Sequence, residues 1–250
     1  MKAVATAERG FIEAVRAQLR AAADPSRAPA MQAYMKSAMP YLGVGSQQWR
    51  GIVKQTSRAG PLPDVATLAA TMLALWREAT HREERYVAME LALFAPHRKL
   101  AGLELLPVYE EMISSGAWWD YVDDIACFGI GALLPEHASR IHPRLRRWAV
   151  GEDLWLRRAA IICQRRLKPE QFDAHLLYGC ILPAIGQRTP LAREFFLRKA
   201  VGWALRERAR QAPEEVAEFC RQYHDQLSPL SLREAMRGLA RSRGLPLRQQ

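Results

Sequence analysis

No stretch of this 250-residue chain is apolar for long enough to cross a membrane. A spanning helix needs about 20 such residues, and the most apolar run, Ile125 to Leu134, is half that length and broken by small residues. Its four cysteines, Cys127, Cys163, Cys180 and Cys220, form no Cys-x-x-Cys pair. They read as buried thiols of a reducing compartment, not as a disulfide frame or a zinc site. The six histidines never take the His-Glu-x-x-His spacing of a zinc hydrolase, so no metal and no other cofactor is expected. Residues 1–8 lack a charged head followed by an apolar core, so a cytoplasmic location is the default. Alternating strand patterns closed by hairpin turns are also missing.

What is present is helical spacing. Phe11, Ile12, Val15 and Leu19 fall on one face of a helix, as do Leu68, Met72, Leu75 and Trp76, and Val216, Phe219 and Cys220. Breaks are expected at Asp24-Pro25, Met39-Pro40, Gly60 to Pro63, Leu134-Pro135, Lys168-Pro169, Leu182-Pro183, Thr189-Pro190, Ala212-Pro213 and Ser228-Pro229, where proline suits a helix start. Ala88, Ala126, Ala159 and Ala200 sit at similar places in successive helices, 38, 33 and 41 residues apart. That period is near the roughly 40 residues of helical-pair repeats. The expected fold is all-α: a helical-repeat solenoid, one domain over 1–240 with a concave basic face and a frayed basic tail, 241–250.

The charge is concentrated. From Arg140 to Arg210 there are 16 Lys+Arg against 6 Asp+Glu, which is the whole net charge of +10; the rest of the chain is balanced. A localised basic excess is the footprint expected for nucleic acid, although a solvated basic face without a ligand has the same composition.

Three helices within or next to this region carry polar or aromatic faces. In Trp118-Trp119-Asp120-Tyr121-Val122-Asp123, Trp119 and Asp123 are i and i+4, an aromatic plate beside a carboxylate, while Trp118 turns about 100° away toward the core. Taken alone, this reads first as buried tryptophans and solvated aspartates. In Leu154 to Ile161, Arg157 and Arg158 cannot both be deeply buried, and Arg158 and Arg166 can face one groove. In Phe195 to Glu207, Lys199, Trp203 and Arg206 share a face that alternates aromatic and cationic groups. Gly202 is costly inside a helix, and close approach of another backbone would account for it.

The stretches Tyr34 to Gly43, Trp118 to Asp123, Leu154 to Ile161, Phe195 to Glu207 and Leu227 to Ser231 together resemble the AlkD-like DNA alkylation repair proteins, bacterial alkylpurine DNA glycosylases built from HEAT-like repeats. The likeness runs from about residue 34 to 233. It implies hydrolysis of the N-glycosidic bond of cationic N3- and N7-alkylated purines, such as 3-methyladenine and 7-methylguanine, in double-stranded DNA. It places the catalytic carboxylate at Asp123, the aromatic pair at Trp119 and Trp203, and the phosphate-holding arginine at Arg158. Tyr34, Arg157, Arg166, Lys199 and Arg206 are the further DNA-contacting residues expected in the same cleft. It further implies a monomer at the nucleoid, no deep base-flipping pocket and, with no Schiff-base lysine singled out, no lyase activity. A HEAT-like module that binds DNA structures without cutting is the alternative.

Overall fold

The structure is a computed structural model that describes residues 6–93, 96–186 and 190–244. The expected tail therefore lies outside the described residues from 245 onward, as does Thr189. Among the described residues there is no strand, and no helix is long and apolar enough to cross a membrane. The helices gather into two compact units, 1–112 and 113–250.

The first unit holds α1 (Arg9–Ala21), α2 (Ala28–Met35), α3 (Ser46–Ala59), α4 (Val65–Arg77) and α5 (Arg82–Leu93); α6 (Leu106–Gly116) contains the boundary. α1 buries the four residues its spacing selects, Phe11, Ile12, Val15 and Leu19. α4 starts where Asp64 accepts from the Thr67 amide at 2.7 Å, and it buries Leu68, Met72, Leu75 and Trp76. α5 runs through the middle and buries three carboxylates, each with partners. Glu83 accepts from the amides of Leu42, Gly43 and Val44 at 2.9 to 3.1 Å. This pins a loop that only glycine can make, since Gly43 has φ +86° and a Cβ there would sit 2.0 Å from the Asp24 carbonyl oxygen. Glu84 is tied to Arg16 and Glu90 to Arg50.

In the second unit, α7 (Trp119–Asp124) passes into a π-helical turn, Ile125–Ile130, and then into α8 (Gly131–Val150). α9 (Leu154–Ile162), α10 (Ala174–Ile181), α11 (Phe195–Arg208), α12 (Pro213–Gln222) and α13 (Pro229–Ser242) follow. α7, α9, α11 and α13 form a row, each packed on the next, with α8 and α10 against α9 and α12 against α13. Ala126 in the π turn, Ala159 in α9 and Ala200 in α11 are fully buried, and Ala88 is fully buried in α5, as the repeat spacing predicts; Ala235 of α13 continues the series. Small residues here let neighbouring helices approach closely.

The break expected at Leu134-Pro135 is found two residues on: at His137 (φ −128°, ψ 22°) the backbone leaves the helical region, and the kink divides α8 into two helical segments, the second of which carries Pro143. Proline removes one helical hydrogen bond, which accounts for a kink here.

Candidate active site

Asp123 occupies the last turn of α7, just before the π turn. Asp153 caps α9 by accepting from the amides of Trp155 and Leu156 at 2.8 and 2.9 Å, which fixes where that helix begins and so the height of Arg158. The two side chains meet in a bidentate pair. Arg158 donates from Nε to Oδ1 at 2.7 Å and from Nη2 to Oδ2 at 2.8 Å, and its Nη1 donates to the Phe196 carbonyl of α11 at 2.7 Å. One arginine thus joins three helices of the row. The pair is largely withdrawn from water, yet the Asp123 side chain keeps 13% of its surface exposed. A guanidinium fork of this kind fixes both the position and the plane of a carboxylate.

Aromatic rings flank the pair. Trp118 packs on Trp155 and Phe196 at centroid distances of 6.0 and 5.4 Å, and Phe196 lies 4.9 Å from Trp155. Trp119 and Trp203 are both half-buried. The Arg158 guanidinium carbon is 5.9 Å from the centre of the Trp203 ring. That of Arg165 is much closer, at 3.2 Å.

The structure corrects the reading of Arg157 and Arg158 as a pair that cannot both be buried. Arg157 is 6% exposed and Arg158 3%. Each is accepted by a different device: Arg158 by the Asp123 carboxylate, Arg157 by carbonyls at the end of α8, with Nε donating to Gly151 at 2.5 Å and Nη2 to Val150 at 3.2 Å. Cations at a helix C-terminus meet the negative end of its dipole. Burial still holds Arg157 below the ordinary arginine pKa.

The face expected to carry Lys199, Trp203 and Arg206 together is divided. Lys199 and Arg206 both turn to the buried Glu234 of α13, Lys199 at 2.8 Å and Arg206 through a short ion pair, and Arg237 joins them at 3.1 Å. Burial pushes Glu234 up, but the Lys199 hydrogen bond and the surrounding cations outweigh it and hold its pKa below the usual glutamate value. Between these residues, Gly202 meets α13 directly: a Cβ there would come within 2.8 Å of Glu234 Cβ and 2.9 Å of Ser231 Cα. The close approach inferred from the sequence is therefore real. Trp203 lies off this contact and meets Arg165 and Arg158 instead.

Arg166 is exposed, with its guanidinium 5.0 Å from the Phe128 ring centre. Tyr34 stands on α2 of the first unit, 77% exposed. Among the described residues, no three His, Cys, Asp or Glu side chains gather as metal ligands would. Arg165, Phe196 and Glu234 are not among the site residues the sequence reading selects, and Cys127 is expected only as a buried thiol. Arg165 had a signal: it is i+7 from Arg158, nearly in phase on a helix, whereas Arg166 is a step of about 100° further round.

The chain matches the sequence profile of a family described as DNA alkylation repair enzyme over residues 15–239. Among solved structures it is similar to one described as a predicted DNA alkylation repair enzyme from Enterococcus faecalis, at 30% identity and a TM-score of 0.74, over 87% of this chain and 97% of that one. No curated protein matches it. An all-α helical-repeat chain with this match along nine-tenths of its length belongs to the DNA alkylation repair enzyme family, and its role lies in the repair of alkylated DNA.

Proposed function

We propose that the protein is a monofunctional DNA glycosylase that releases cationic N3- and N7-alkylated purines from duplex DNA. The observation that carries this reading is the Asp123 carboxylate, held in one orientation by Arg158, partly open to solvent, with the Trp203 ring beside the same arginine.

An alkylated purine carries a positive charge, so the glycosidic electron pair can return to the ring and the base leaves neutral. No general acid is needed, and one carboxylate suffices. The sugar left behind has oxocarbenium character. Each Asp123 oxygen accepts from Arg158 and keeps a lone pair, so the open edge of the carboxylate can face the cationic C1′ and orient the water that attacks it. The water proton passes to the carboxylate or to solvent. Trp119 and Trp203 flank the deoxyribose and favour its charge through their π faces. Arg158 spends three of its five N–H donors within the protein, and two remain for a phosphate oxygen. Exposed Arg166 supplies a further phosphate contact, while Lys199 and Arg206, shared with Glu234, present their remaining donors to the DNA.

The test is release of 7-methylguanine and 3-methyladenine from N-methylated duplex DNA by the parent and by Asp123→Asn. Release by the parent with a loss of about 100-fold or more in the variant is expected, the scale of removing one electrostatic stabiliser. Equal release by both sinks the mechanism. Salt-sensitive DNA binding with no release by the parent would make the protein a non-catalytic DNA-binding module.

A further inference from the structure

A cation already lies on the aromatic face that this reaction needs. The Arg165 guanidinium rests 3.2 Å from the centre of the Trp203 ring. Its other partners are weak. Nη1 reaches Cys127 Sγ at 3.7 Å, Nη2 reaches Glu207 only at 3.9 Å, and the buried Nε has no hydrogen-bond partner. The side chain is nevertheless only 14% exposed. A charge withdrawn from water with so few hydrogen bonds is poorly compensated, and the Trp203 ring is its main support. Burial accordingly lowers its pKa from the usual arginine value. Beside it opens a cavity of about 150 Å³, lined among others by Gln164, Phe172, Leu177, Glu207 and Arg208. Glu207 stands at its edge with its better contact made to Arg210, at 3.0 Å.

We propose that Arg165 is a resident competitor for the Trp203 face: it covers the ring in the free protein, turns into the cavity toward Glu207 when a positively charged sugar takes its place, and returns once the sugar is neutral. The inference rests on the reading of Trp203 as the aromatic that faces the sugar. An aromatic ring that already holds one cation attracts a second less strongly, so the arginine has to yield for the ring to act on the substrate. A neutral abasic sugar gains nothing from the ring and leaves Arg165 in place. The arginine thereby damps binding of a cation and leaves binding of the neutral product unaffected.

Two duplexes distinguish this from a purely structural role: one carrying a cationic pyrrolidine abasic analogue, the other its neutral tetrahydrofuran counterpart. Arg165→Met is expected to raise the preference for the cationic duplex about fivefold. It should also speed single-turnover base release by a similar factor, since the sugar is cationic as the bond breaks. Glu207→Gln, which removes the receiving carboxylate, is expected to lower the same preference. An arginine that merely props the tryptophan would weaken both duplexes alike, and an unchanged or reduced preference in Arg165→Met overturns the proposal. Should Arg165→Met not fold, Glu207→Gln decides, because a rise or no change there overturns it equally. The parent's release of 7-methylguanine is measured alongside. Release without these shifts removes the competitor alone; the shifts without release leave a cation site and remove the glycosylase reading.

Discussion

Asp123 and Arg158 are 35 residues apart in sequence and grip each other through two parallel hydrogen bonds of 2.7 and 2.8 Å. Their contact welds α7 to α9 in a place where neither charge is well hydrated. Arg158→Ala would leave a mostly buried carboxylate alone and is expected to destabilise the protein by about 3 kcal/mol. Asp123→Asn keeps a shape that still accepts from the guanidinium, and should cost less stability while removing activity. Denaturant titration of both variants checks the order.

Gly202→Ala sets two effects against each other. Alanine favours a helix over glycine by about 1 kcal/mol, yet its Cβ would press on Glu234 Cβ and the α13 backbone at Ser231. Backbone cannot give way as a flexible side chain can, so steric pressure wins, with a net loss of about 2 kcal/mol in urea unfolding.

Acid should loosen the α11–α13 contact. Glu234 has a lower pKa in the folded protein than its ordinary value of 4.5, so below about 4.5 the unfolded chain takes up the proton more readily. The stabilisation is present in full above that value and is lost as pH falls through the folded pKa. Stability measured from pH 6 to pH 3 should therefore fall less steeply in Glu234→Gln than in the parent.

The thiols should be silent in the native state. Burial raises Cys127 and Cys220 to about 11, Cys180 to about 12 and Cys163 well above its usual value. Labelling by a thiol reagent at pH 8 is expected to follow the rate of opening of the fold, not the reagent concentration.

Two neighbouring arginine types should separate by salt. Exposed Arg166→Ala should reduce the slope of log affinity for duplex DNA against log salt by about 0.9, one phosphate contact. Arg157→Ala should leave the slope unchanged and lower stability instead, since its guanidinium is spent on the α8 carbonyls.

The apolar spacing of α1, α4 and α12, the buried alanine series and the tight approach at Gly202 were all legible, because they are written in helical periodicity, in the repeat spacing of small residues and in a glycine where a helix disfavours one. What escaped depends on partners remote in sequence. Glu234, 28 residues beyond Arg206, draws Lys199 and Arg206 off the face they share with Trp203 in a helical projection. Arg157 could be buried because the carbonyls of Val150 and Gly151 were waiting for it, and backbone acceptors leave no mark in composition.

The π turn at Ile125–Ile130 has a consequence for length variation in this region. A π turn takes up more residues than an α turn, so it is relieved by losing a single residue. Such a deletion would leave an ordinary helix whose two flanks keep nearly the same faces, because the π turn holds one residue more per turn than an α turn. Asp123 would then still face Arg158, whereas a deletion in the α-helical turns on either side would rotate it by about 100°. Chains of this kind should therefore tolerate the loss of one position between 125 and 130 more readily than the same loss elsewhere between Asp123 and α8.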